Sequence, residues 1–246
     1  IGCKGCKRDC PSGVDMAKLK TEVTHEYHQR EGISLRDKLF ANVETLYSLG
    51  STLAPLSNWA TSLPGSGLIA EKTVGIARER DLPTFKRETL QKWDRKRQPA
   101  VSESEADRKA LLIADPYTNY TQPEVGKAAV KVLEAAGVCV EIPDDVTDSG
   151  RPAHSKALLN RSTATARENV DALAPRIDDG WDIVSVEPSD AVMYQEDYLN
   201  LLSGDDVVAV ADNSYSVMEY LDTFRLDEAL DTDATELLSY HGHCHQ

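Results

Sequence analysis

The chain has 246 residues, 41% of them hydrophobic, enough for one large domain or two ordinary ones around a real core. Its net charge of −14 is uneven: residues 1–99 carry 17 Lys and Arg against 12 Asp and Glu, and residues 100–246 carry 10 against 29. So acidic a second part argues against nucleic acid or anionic lipid as partner, and the longest apolar runs, Ala110–Ala114 and Val207–Ala211, are far too short to cross a bilayer.

The first segment with chemistry in it is Cys3-Lys-Gly-Cys6-Lys-Arg-Asp-Cys10-Pro11, a C-x2-C-x3-C-P run. It is the tail of the C-x2-C-x2-C-x3-C-P pattern by which bacterial-type ferredoxins hold [4Fe–4S] clusters, in which the last cysteine ligates the other cluster of a pair. On that logic Cys3 and Cys6 serve one cluster and Cys10 a second. Counting back three residues from Cys3 puts the pattern's first cysteine just before the chain begins, so an internal piece of a larger redox protein is expected. A zinc knuckle or free thiols are the alternatives. Zinc usually needs a second Cys or His pair nearby, and the nearest histidines, His25 and His28, fall on the following helix. Clustered thiols in a chain of this size read better as metal ligands than as a disulfide framework, which implies a reducing cytoplasm. The acidic surface also fits a high-salt cytosol, which stability measured against molar KCl would distinguish from a mesophilic one.

Val14 to about Arg30 has apolar residues at Val14, Met16, Leu19, Val23 and Tyr27, a helical spacing. Ser34 to Leu49 repeats it, with Ser34 as N-cap and Gly50 as stop. Short helices follow, punctuated by Pro55, Pro64-Gly65 and Pro83, and no stretch of residues 1–98 alternates as a strand. Residues 94–108 are charged and poor in apolar side chains, the composition of a linker. Beyond it β-like runs (110–114, 138–142, 182–187 and weakly 237–241) alternate with helical ones (about 123–136, 156–177, 190–202 and 212–222). That order predicts an α/β fold with a parallel sheet and helices on both faces. Gly137 stands where a helix would turn into the next strand. Trp59, Trp93 and Trp181 read as packing residues, and Cys139 as a core thiol within a strand.

Three stretches fall after expected strands, where parallel α/β sheets bind ligands. Asp148-Ser-Gly-Arg-Pro152 reads as a polar turn whose Arg151 could clamp a carboxylate or phosphate. Glu187-Pro-Ser-Asp190 reads as a helix cap, with Ser189 capping a helix near Asp190. His241-Gly-His-Cys-His245 packs His241, His243, Cys244 and His245 together, all ligands for iron or zinc; a frayed end is the alternative. There is no GxGxxG, Walker loop or GxSxG, so a nucleotide cofactor must bind elsewhere, and no catalytic residue is assigned.

The cysteine run, then Pro123-Glu-Val-Gly-Lys-Ala-Ala-Val-Lys-Val-Leu-Glu-Ala-Ala-Gly137, Gly150-Arg-Pro152, Glu187-Pro-Ser189 and His241-Gly-His-Cys-His245 together resemble the C-terminal half of FAD-linked D-2-hydroxyacid dehydrogenases. In that family, of D-lactate and D-2-hydroxyglutarate type, a flavin domain is fused to a 4Fe–4S ferredoxin module and a cysteine-rich domain. The latter is shared with heterodisulfide reductase and with the iron–sulfur subunits of glycolate oxidase and anaerobic glycerol-3-phosphate dehydrogenase. The resemblance implies a helical ferredoxin-type module over 1–98, a linker over 99–108 and a cysteine-rich-type α/β domain over 109–246, the first truncated at its start and the last at its end. It departs in one respect. The family's Cys-Cys-Gly-Arg-Pro has Asp148 and Ser149 at its two cysteines here, and its Glu-Pro-Ser-Cys has Asp190. Three soft thiolates have become oxygen groups, which suit hard cations, so no cluster is carried onto these loops. Cys244, with His241 and His245, opens the domain's second half.

The function so implied is electron transfer, through clusters at Cys3, Cys6 and Cys10, from a flavin that oxidises a D-2-hydroxyacid. The implied partners are a flavin domain in cis or as a separate subunit, with its FAD, and an acceptor such as a quinone or carrier protein. A homo-oligomer is compatible with it, as is a cytoplasmic protein lying peripherally on a membrane. One rival is an iron–sulfur subunit of a heterodisulfide reductase-like or glycerol-3-phosphate-type complex. A second is a non-catalytic docking domain that has lost its metal.

Overall fold

The computed structural model describes residues 10–146, 148–230 and 239. Cys3, Cys6, His241, His243, Cys244, His245 and the weak strand expected at 237–241 lie outside the described residues. The α/β expectation is borne out: among the described residues four parallel strands stand in the order β2-β1-β3-β4, with β1 at Arg108–Ile113, β2 at Val138–Glu141, β3 at Trp181–Ser185 and β4 at Ser214–Ser216.

The described residues before the sheet form six helices: α1 (Met16–Glu31), α2 (Leu35–Ala41), α3 (Val43–Thr52), α4 (Leu56–Ser62), α5 (Ser66–Val74) and α6 (Leu90–Asp94). Asp15 caps α1 by accepting from Lys18 N at 2.9 Å. Ser34 caps α2 as expected, accepting from Asp37 N at 3.1 Å. The single helix expected over 34–49 is two, because Asn42 leaves helical geometry (φ −111°, ψ 28°) and its side chain donates to Lys38 O at 2.6 Å. An asparagine amide can satisfy a carbonyl of the preceding turn and so stop the ladder there.

The sheet-side helices are α7 (Pro116–Tyr120), α8 (Pro123–Ala135), α9 (Arg151–Ser155), α10 (Leu159–Asp178), α11 (Pro188–Val192), α12 (Tyr198–Leu201), α13 (Asp205–Asp212) and α14 (Val217–Thr223), with a π-helical turn at Met193–Asp197. Gly137 (φ 81°) makes the expected turn from α8 into β2. The helix expected over 212–222 is interrupted by β4, only three residues long.

Strand alternation divides the core in two, as a period of two requires. Ala110, Leu112, Val138, Val140 and Val184 face Ala129, Val130 and Leu133 of α8 and Tyr220 and Leu221 of α14. Leu111, Ile113 and Ile183 face Ala166, Val170 and Leu173 of α10 and Val207 and Val210 of α13. Cys139 is buried in β2, and burial pushes its thiol pKa up, as for an inert core thiol.

In the first layer Gly126 lets α8 approach its neighbours. A β-carbon there would overlap a Leu90 methyl and stand 2.7 Å from Thr118 Cγ2. Alanine gains ~1 kcal/mol of helix propensity over glycine, but overpacking costs ~1–3 kcal/mol. Gly126→Ala is therefore expected to lower the urea midpoint, and an unchanged or raised midpoint would contradict this packing.

The helical part sits at the C-terminal edge of the sheet. Lys18 Nζ of α1 donates to Asn200 Oδ1 at 2.8 Å, and His25 Nδ1 lies 3.0 Å from Ala157 O. Asp37 pairs with Lys156 at 3.3 Å, and Tyr120 OH donates to Glu44 Oε1 at 2.9 Å. Tyr47 of α3 meets Tyr117 and Phe85 edge-on, at 5.7 and 5.2 Å between ring centroids. The apolar stripe of α1 nevertheless faces outward: Val23 is 62% exposed, and no residue of the helix is buried. Trp59, expected to pack, is 59% exposed, whereas Trp93 and Trp181 pack against the two core layers. Among the described residues no helix is long and apolar enough to cross a membrane.

Candidate functional site at the strand ends

Because β2 lies on one side of β1 and β3 on the other, the chain changes direction across the sheet between β1 and β3. The crevice outside that point is where open α/β sheets bind ligands. Three loops meet there. Asp115 follows β1 and caps α7, accepting from Tyr117 N at 2.9 Å and Thr118 N at 3.1 Å, with Pro116 at the first helical position. Residues 148–151 follow β2. Glu187-Pro-Ser-Asp190 follows β3 and opens α11, whose cap is Glu187 rather than the expected Ser189; Ser189 Oγ donates to Glu187 Oε1 at 2.9 Å.

The structure joins the second loop to the third. The Ser149 hydroxyl donates directly to the Asp190 carboxyl, and Arg151 N donates back to Ser149 Oγ at 3.1 Å. Arg151 is buried: its Nε donates to Ser189 O at 2.9 Å, and its guanidinium pairs with Asp197 at 2.7 Å, with His154 Nε2 3.9 Å from the same carboxyl. Arg151, expected to clamp an outside anion, thus clamps an internal one. Asp148 turns back onto its own loop, accepting from Gly150 N at 2.8 Å. The loop's carbonyls are held too. Asn169 donates to Asp148 O at 2.8 Å, Tyr198 OH to Ser149 O at 2.9 Å and Ser162 Oγ to Gly150 O at 3.3 Å.

Three carboxyls are perturbed in one direction. Burial pushes Asp190 up to about 8, with the neighbouring Asp115 adding to the shift and the Ser149 hydrogen bond and Arg151 opposing it. Burial likewise raises Asp115 and Asp148. Tyr117, half-exposed above them, is raised by burial and then by Asp190, Glu187 and Asp115. The crevice therefore holds a neutral acid at pH 7 beside an ion pair.

These donors do not fit an iron–sulfur cluster. They are hydroxyl and carboxyl oxygens rather than thiolates, and they are spent on one another. Among the described residues no group of three or more His, Cys, Asp or Glu is arranged to hold a metal. Of the opening cysteines, Cys10 is described: a free, half-buried thiol whose carbonyl accepts from Gly13 N at 3.1 Å, so that the chain turns away just after it. A thiol at such a turn suits a cluster ligand. Asp115 and Asp197 were missed in the sequence. Asp115-Pro116 after an apolar run is a helix-start signal that could have shown the first.

No family model matches the chain, and no solved structure matches it significantly. Among curated proteins it is 26% identical over 257 aligned positions to D-2-hydroxyglutarate dehydrogenase of Escherichia coli K12, covering 99% of this chain and 24% of that protein. It is 23% identical to one subunit of the anaerobic glycerol-3-phosphate dehydrogenase of the same organism, covering 80% of this chain and 49% of that subunit. Over half of its length it is 31% identical to lactate utilization protein A of Bacillus pumilus. The chain thus spans about a quarter of the first relative and half of the second. Its likeness is to D-2-hydroxyacid and glycerol-3-phosphate dehydrogenase proteins, the group its motifs resemble.

Proposed function

We propose that this chain is the electron-transfer part of a flavin- and iron–sulfur-dependent oxidoreductase acting on a D-2-hydroxyacid. One observation carries the reading: the likeness to D-2-hydroxyglutarate dehydrogenase runs over 99% of the chain. The chemistry the bound groups supply is substrate oxidation at a flavin and single-electron transfer through [4Fe–4S] clusters. The protein's own part is ligation and placement. Cys3, Cys6 and Cys10 supply thiolates. The contacts of Lys18 and His25 anchor the helix after Cys10 to the sheet edge. On this reading residues 1–98 form the cluster module, 99–108 the linker and 109–246 the α/β unit.

A second arrangement, with the flavin on a separate polypeptide, is favoured by the likeness to a single subunit of glycerol-3-phosphate dehydrogenase, of which the chain covers twice the share that it covers of the first relative. The intact protein that contains this chain decides. It is expected to hold iron, acid-labile sulfide and flavin, and to reduce an artificial acceptor with a D-2-hydroxyacid and not with the L-isomer. Iron without flavin would favour the separate-polypeptide arrangement; a correctly assembled protein without iron would sink both.

A further inference from the structure

We infer that the crevice between residues 148–151 and 187–190 is a metal-free site, closed by Ser149 and Asp190 as a directly hydrogen-bonded pair that stands where the resemblance would put cluster ligands. Two side chains that ligate one cluster are held apart by the cluster between them, whereas the Ser149 hydroxyl touches the Asp190 carboxyl. Opening that contact to admit a metal would strip Asp190, which is buried, of its donor. It would also break the Arg151 N bond to Ser149 Oγ, 3.1 Å. The loop cannot swing aside cheaply. Asn169 and Tyr198 hold its carbonyls from α10 and α12, and Tyr198 OH in turn accepts from Asn169 Nδ2 at 2.8 Å. Gly150 sits at φ 81°, where a β-carbon would stand 3.3 Å from Ser162 O, so the turn is fixed by its neighbours as well.

A hard cation fares no better than iron. Calcium or magnesium needs about six oxygens free to turn their lone pairs inward. Here Asp148 accepts from Gly150 N, and Asp115 from Tyr117 N and Thr118 N. The positive charge a cation would bring is already supplied by Arg151, paired with Asp197. The site is complete without a ligand, and its oxygens form a lock between the loop after β2 and the helix after β3.

The test uses the whole chain with Cys3, Cys6 and Cys10 changed to Ala, which removes the opening thiolates. This protein is incubated anaerobically with ferrous iron and sulfide, and separately with manganese(II), then desalted and assayed for metal, with circular dichroism as the check on folding. The expected result is no stoichiometric metal in the crevice, and unfolding midpoints that a chelator leaves unchanged. Ser149→Ala and Asp190→Ala, each of which removes the contact, are expected to be non-additive in those midpoints when made singly and together, as contacting residues are. Stoichiometric metal lost on Ser149→Ala or Asp190→Ala would overturn the inference, and so would strict additivity. Metal that survives both changes would lie elsewhere in the chain and leave the crevice as inferred.

Discussion

Replacing Asp190 by Asn is expected to remove a large part of the pH dependence of stability between about pH 4 and pH 8. The folded protein holds this carboxyl neutral up to about 8, chiefly through burial, whereas an unfolded Asp titrates near ~3.9. Between those values the native state binds the extra proton, so stability falls as pH rises. Below the window both states are protonated and above it both are ionised, so the slope vanishes at either end. Each pH unit inside it is worth at most ~1.4 kcal/mol, shared with Asp115 and reduced by relaxation around the site. Asparagine has the same shape and keeps an oxygen for the Ser149 hydroxyl, and it never ionises. The variant should match the parent within ~1 kcal/mol at pH 4 and exceed it by ~2–4 kcal/mol at pH 8. Because burial raises Asp115 and Asp148 in the same direction, a shallower slope should remain. Urea titrations at four pH values measure this, and parallel curves for the two proteins would refute a neutral buried Asp190.

Arg97→Ala is expected to cost ~3–5 kcal/mol, the price of leaving buried carboxylates without their cation. The Arg97 side chain is 8% exposed and that of its partner Glu134 9%, so this is an interior pair rather than a surface one. The guanidinium also meets Asp94 at 2.5 Å, donates to Val140 O at 2.6 Å and lies 5.6 Å from the Trp93 ring centroid. It therefore ties α6 and the chain after it to α8 and β2. Lysine cannot reproduce a fork that serves three acceptors, so Arg97→Lys should rescue little. Arg97→Met with Glu134→Leu should recover part of the loss, since Glu134 is then no longer stranded while Asp94 still is. Arg95, whose pair with Asp144 is more than half exposed, is the control: Arg95→Ala should be without measurable effect. Equal midpoints for the Arg95 and Arg97 variants would show that the buried pair adds nothing.

Arg97 also marks where the sequence could mislead. Asp94-Arg-Lys-Arg97 reads as solvated linker because composition reports charge, not whether the charges find partners indoors. The alternation of apolar runs and helical periods revealed the parallel sheet, since fully buried strands such as Ala110–Ile113 are apolar on both faces. β4 escaped because three residues between two helices carry no period of their own. The stripe of α1 was legible as a stripe, but periodicity tells which residues share a face and not what covers it. In the crevice, two of the three contributing loops could be placed after strands from sequence, and the structure brings them into contact. What the sequence hid was their chemistry toward each other. Ser149 and Asp190 are 41 residues apart in the chain, and only the fold makes one the other's hydrogen-bond donor.

The central claim, that the opening cysteines hold redox-active iron, is tested most directly by low-temperature paramagnetic resonance. The intact protein that contains this chain would be prepared anaerobically, then reduced with dithionite. The expected result is visible absorbance that bleaches on reduction, a reduced-cluster signal, and weakening of both in Cys6→Ser. A correctly assembled intact protein that holds no iron, or one whose signal is indifferent to Cys6, would contradict the account.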